Sequence, residues 1–172
     1  VEMQHLEFEI PSRGLIGLRS QMLTNTAGEA VMAHRFIAYK PWKGAIPGRN
    51  NGVLISKNMA TTTAYSIDKL QDRGSFFVDP GDDVYVGQII AEHIKPGDRV
   101  VNATEGKKLT NMRASGSDDS VRIVPKILMT LEECMEYIQD DECIEVTPKH
   151  IRLRKTMLNE EDRRKVSKSM KA

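Results

Sequence analysis

The amino-acid sequence predicts an α+β fold in two parts. The first is half of a split βαβ unit; the second is a mainly β domain, a small sheet or partly closed barrel with flanking helices and one long loop. Three observations carry this. Apolar residues alternate at Leu6, Phe8 and Ile10, then fall on a helical stripe, then resume a strand-like run. A Pro/Gly-rich stretch, PWKGAIPGRNNG (41–52), interrupts the chain. Beyond it, short β-like runs recur between turn signals such as DPGDD and KPGD.

Each element has a local cause. Val1–Ile10 alternates as a half-buried strand, ended by Pro11. Ser12 is the expected N-cap of a helix to about Leu23, with Leu15, Ile16, Leu18, Met22 and Leu23 on its stripe and Gly14 and Gly17 weakening it. Gly28 turns the chain into a second strand over Ala30–Tyr39. A two-stranded unit of this kind is poorly stable alone. Together with Val1 as first residue, this reads as a piece whose other half lies upstream. The expected parts are residues 1–42 and 43–172.

In the second part, Val53–Lys57 and Thr61–Ile67 are expected strands, and Asp68–Gly74 a short helical turn. Ser75–Val78, Val84–Ile94 and Arg99–Asn102 follow as strands. Between Val101 and Val121 runs a long connection with no element of its own; Val121–Val124 resumes a strand. Thr130, with Glu133 three residues on, has the capping-box pattern of a helix start, and Leu131, Cys134, Met135 and Ile138 form the inward stripe. Cys143–Val146 and Ile151–Leu153 are strands again. Asn159 caps a terminal helix whose first turn, Glu160–Asp162, complements the helix dipole.

Composition excludes several classes. Hydrophobic content of 40% and charge of 28% are ordinary for a soluble domain. No apolar run has the length of a membrane span and no signal-peptide pattern opens the chain, so a cytoplasmic protein without a membrane partner is expected. Cys134 and Cys143 are expected as reduced thiols. No phosphate loop or GxGxxG is present, the four histidines are dispersed, and no nucleophile elbow surrounds Ser115 or Ser117. An independent hydrolase is therefore not expected, and neither catalytic residues nor a metal site is assigned.

The net charge of +1 conceals segregation. Ala30–Ile67 has no acidic residue but contains Lys40, Lys43 and Arg49. Ile127–Pro148 reverses this, with Glu132, Glu133, Glu136, Asp140, Asp141, Glu142 and Glu145 and no Lys or Arg. From Lys149 the chain is basic again and includes Arg152, Arg154 and Lys155. The long connection carries GKKLTNMRASGSDD (106–119): Lys107, Lys108 and Arg113 among Thr110, Asn111, Ser115 and Ser117. Cations, hydroxyls and amides are what phosphate oxygens bind, and Gly106 and Gly116 permit close backbone approach. The two basic segments and this loop can form a surface for a polyanion, or can simply solvate separate faces. Tyr39 and Trp42 are either a base-stacking patch or a plug at the junction. The acidic segment supports an alternative, a protein–protein interaction or self-association module without RNA contact.

IPSRGLIGLRS (10–20), PGRNNGVLIS (47–56), LQDRG (70–74), VYVGQII (84–90), GKKLTNMRASGSDD (106–119) and DDECIEVTPKHIRLRK (140–155) resemble the C-terminal half of the BipA/TypA family of bacterial translational GTPases, relatives of elongation factor G. Lys126 and Gln21 depart from the family pattern. The resemblance implies a ferredoxin-like half-domain followed by a family-specific domain. It implies a monomeric, ribosome-binding region acting in stress-related translation or ribosome assembly, with 23S rRNA and the tRNA acceptor end as partners. Residues Lys107 to Gly116 would be the contact loop. GTP and magnesium would belong to an upstream domain, leaving this part without a cofactor and without catalysis.

Overall fold

A computed structural model describes residues 4–44, 48–106 and 122–169. The helix expected through Leu23 is broken in two. A 3-10 turn, Ser12–Leu15, precedes α1, Leu18–Asn25, and Gly17 between them has a φ of 74°. That left-handed backbone suits glycine and cannot continue a helix. Pro11 occupies the N-cap position of the turn, without a side-chain cap hydrogen bond, so Ser12 does not have the expected role.

The strands expected over Val1–Ile10 and Ala30–Tyr39 are corrected as well: residues 4–10 and 30–39 enter no ladder. A strand is stable only with partners and a covered face. Here Phe8 is 80% and Val31 87% exposed. The Lys40 ammonium nevertheless pairs with the Glu9 carboxylate, bringing the ends of the two segments together.

The second part is the core. In chain order it contains β1 (Val53–Ser56), β2 (Ala60–Thr61), α2 (Ala64–Gln71), β3 (Gly74–Phe76), β4 (Asp83–Val84), β5 (Gln88–His93) and β6 (Arg99–Val101). Then follow α3 (Leu131–Tyr137), β7 (Glu142–Val146), β8 (Ile151–Lys155) and α4 (Glu160–Ser169). The main sheet runs β6-β1-β5-β8-β7, with β3 also paired to β5, and β2 and β4 form a separate two-stranded ribbon. The β1–β6 pair is parallel; the other pairs are antiparallel. This is the expected α+β architecture of small sheets and few helices.

Both faces of the sheet are covered. Leu54, Ile90 and Ala91 pack with Ile67 and Leu70 of α2, whereas Val53, Ile55, Ile89 and Leu153 pack with Cys134 of α3. A strand buried on both faces reads as a continuous apolar run, which is why VLIS shows no alternation.

Local chemistry decides where the other expectations fail. Thr61–Ile67 is not a strand: β2 ends at Thr61, and the Thr63 hydroxyl accepts from the Ser66 N–H to start α2. The cap overrides the β preference of three successive threonines. The expected Val84–Ile94 strand breaks at Gly87, where φ is 84°. Residues 122–124 form no strand. The capping box at Thr130 and Glu133 is present on both sides. Of the stripe expected on α3, however, only Cys134 is buried, while Leu131 and Met135 are exposed and Ile138 lies at the helix end. Asn159 accepts from the Glu161 N–H at the start of α4, as expected.

Candidate nucleic-acid interface

The loop residues Lys107, Lys108, Thr110, Asn111, Arg113, Ser115 and Ser117 lie outside the described residues. Both of the loop's roots are described, and both are tied to α2. On the entering side, the Thr63 and Ser66 hydroxyls donate to the Glu105 carbonyl at 2.6 and 2.7 Å. The Thr63 N–H also donates to the Ala103 carbonyl. On the returning side, the Gln71 amide donates to the Arg122 carbonyl at 3.1 Å and accepts from the Val124 N–H at 3.3 Å. Beyond this, Ile127 N–H donates to the Phe76 carbonyl, and Lys126 bridges Asp79 and Asp82 at 2.9 and 3.1 Å. The hydrogen bond to Asp79, outweighing desolvation together with Asp82, raises the Lys126 pKa. One short helix thus holds both residue 105 and residue 122, the described ends of the stretch.

The basic residues expected outside the loop divide into two groups. Lys43 is exposed, and Lys40 is exposed in its pair with Glu9. Arg152 and Arg154 lie on one face of β8, opposite Glu145 and Cys143 of β7. Arg152 donates to Glu145 at 3.2 Å, while Tyr85 donates to the other oxygen of that carboxylate at 2.6 Å. Burial pushes the Tyr85 phenol far above its usual range, and the bond to Glu145 adds to this. Arg154 donates to the Lys155 carbonyl.

Arg49 and Lys155 must be removed from the expected surface. Lys155 is 1% exposed, and its ammonium contacts Asp98, Asp141 and Glu142 at 2.5, 2.9 and 2.9 Å. Arg49 donates to both oxygens of Glu142, at 2.5 and 3.0 Å, and to the Tyr137 carbonyl at 3.0 Å. Burial alone would raise the Glu142 pKa, but hydrogen bonds from Arg49 and Lys155 outweigh it and hold the carboxyl below its ordinary range. A buried cation stays where opposite charge surrounds it, so neither residue is offered to a phosphate. Two of the seven acidic residues of the segment, Asp141 and Glu142, are consumed by the same pairing.

Two features of the interface were not legible in the sequence reading. Lys69 lies 4.0 Å over the Tyr65 ring on the exposed side of α2, a cation–π pair beside the loop roots. Gln71 is the second. The first was hidden by the strand expected over Thr61–Ile67, where an i, i+4 pairing of Tyr65 with Lys69 points to a helix; Gln71 gave no local sign, since its partners lie 51 and 53 residues away. At the junction, Tyr39 is 97% and Trp42 73% exposed, and Arg13 stacks 3.4 Å over the Trp42 ring. Among the described residues no group of His, Cys, Asp and Glu could hold a metal, and no helix is long and apolar enough to cross a membrane.

Residues 51–160 match the family model of the TypA/BipA C-terminal domain, and residues 1–50 match that of the elongation factor G C-terminus. The chain is 48% identical over 167 residues to the large ribosomal subunit assembly factor BipA of Escherichia coli K12. It is 45% identical over 165 residues to the protein of that name from Haemophilus influenzae, and 43% over 167 residues to that from Bacillus subtilis. The alignments cover 95 to 96% of this chain but only 27 to 28% of those relatives, so the chain spans little more than a quarter of their length.

Proposed function

This chain belongs to the TypA/BipA family, as its C-terminal part, and from that premise we propose that it docks on the RNA of the large ribosomal subunit. The observation that carries the reading is the bracing of both loop roots by α2. Lys107, Lys108 and Arg113 lie in the sequence between those two roots, and α2 also carries the Tyr65–Lys69 pair. Phosphate contacts supply the affinity, and the hydroxyls and amides of Thr110, Asn111, Ser115 and Ser117 supply register. Lys40, Lys43, Arg152 and Arg154 are the accessory cations. The 23S rRNA and the tRNA acceptor end are the proposed partners, and a monomer the proposed form.

Chemistry is assigned elsewhere. GTP and magnesium belong, on this reading, to the portion of the relatives' length that the present chain does not span. The role here is docking during assembly of the subunit, as the name of the relatives suggests.

The test is co-sedimentation of the chain with purified large subunits, comparing wild type with K107A/K108A/R113A. Binding reduced at least tenfold in the variant supports the reading. Undiminished binding contradicts it. Retention on a protein-only ribosomal fraction, with none on RNA, would favour the protein-interaction module instead.

A further inference from the structure

We infer that the C-terminal end of α3 is a rigid joint that fixes the first part of the chain on the second. Four residues between 136 and 142 grip the first part and the segment leaving it. The Glu136 carboxylate accepts from the Gln21 side chain at 2.6 Å and lies against Gly17; a Cβ built there would fall 1.7 Å from the Glu136 Cδ. Gly17 therefore serves two purposes: its positive φ breaks the helix, and its missing side chain admits the carboxylate.

The Tyr137 carbonyl, near the negative end of α3, accepts from Arg49, whose guanidinium also lies 4.4 Å over the Tyr137 ring. Gln139 closes the loop in the other direction, with its side-chain amide donating to the Arg49 carbonyl at 2.8 Å and its N–H to Glu142 at 3.1 Å. Glu142 completes the grip with its bidentate hold on Arg49, the pair having side chains only 0% and 10% exposed.

The connection is restrained on its other side too. Arg13 donates to the Gly44 carbonyl while stacking on Trp42. Gly44 is thus fastened by Arg13 of the first part, and Arg49 anchors its own end of the connection in the core of the second. The stretch 41–52 is rich in Pro and Gly, but charge-assisted contacts at Gly44 and at Arg49 hold its two ends. The joint stands on these contacts alone and does not depend on what the loop binds.

The test is a distance measurement on the whole chain, with spin labels carried by unnatural amino acids at Glu29 and Ser167. Wild type is expected to give one narrow distance distribution. Both R49M and the double variant Q21A/E136A are expected to widen it at least twofold while the far-ultraviolet spectrum of the sheet is retained. The second variant removes only contacts outside the buried cluster, so it remains informative if R49M unfolds the sheet. A broad distribution in wild type, or an unchanged width in Q21A/E136A, overturns the joint.

Discussion

Arg49 and Glu142, 93 residues apart, meet as a bidentate ion pair at 2.5 and 3.0 Å, with the carboxylate fully buried. Removing one partner of such a pair leaves an uncompensated buried charge, which typically costs about 3 to 5 kcal/mol. R49A should therefore lower the unfolding free energy from denaturant titration by that amount at neutral pH. A shift below about 1 kcal/mol would mean that Lys155 alone suffices for Glu142.

The same carboxylate sets an acid limb. Its folded pKa is lowered from the ordinary 4.5, so its contribution is complete above 4.5 and is lost as pH falls through the lower folded value. Denaturant titrations from pH 7 down to 3 should show this loss in wild type. In E142Q the limb should be shallower, because the glutamine does not titrate.

Lys155 is the counter-charge for three carboxylates, so K155M should be destabilised by about 3 kcal/mol or more at pH 7. Losing the lysine raises the folded pKa of Glu142, so protonation relieves the crowding. The gap between variant and wild type should narrow as pH is lowered towards 4. A gap constant with pH would contradict the assigned cluster.

Two glycines with similar backbone should respond differently. Gly87, at φ 84°, would place a Cβ 2.6 Å from the Leu158 Cα, whereas Gly81, at φ 93°, has nothing within 4 Å. G81A should cost only the left-handed strain, about 1 kcal/mol. G87A should cost more than about 3 kcal/mol, since the segment before α4 must move. Thermal unfolding of the two variants decides the matter.

Gln71 holds the returning root of the loop with two hydrogen bonds, each contributing about 1 kcal/mol. Q71A should cost about 1 to 2 kcal/mol locally. Amide exchange at Val124 should accelerate roughly tenfold while exchange in β1 and β5 stays unchanged. Equal acceleration throughout the sheet would show that Gln71 supports the core rather than the root.

The sequence made legible what depends on neighbours along the chain. The apolar run at Val53–Ser56, the capping box at Thr130 and the cap at Asn159 are local patterns, and each is present. What was lost depends on partners far away. Thr61–Ile67 carried strand propensity, but the Thr63 cap and the packing of Ile67 and Leu70 against the sheet decided for a helix. Ala30–Tyr39 had the pattern of a strand but no ladder to join. Lys155 read as a surface cation because charge was counted by segment; its strand alternation with Leu153 already placed it on the inward face. Arg49 gave no local sign at all, since its partner lies 93 residues away.

Salt dependence of binding tests the central claim, that the cations between residues 106 and 119 dock on RNA phosphates, most directly. The affinity of the chain for large ribosomal subunits would be measured from 50 to about 300 mM salt for wild type and for K107A/K108A/R113A. Log affinity should fall linearly with log salt in wild type, and the variant's slope should be shallower by about 2 to 3, the loss of three phosphate contacts. Identical slopes and affinities for the two proteins would contradict the account.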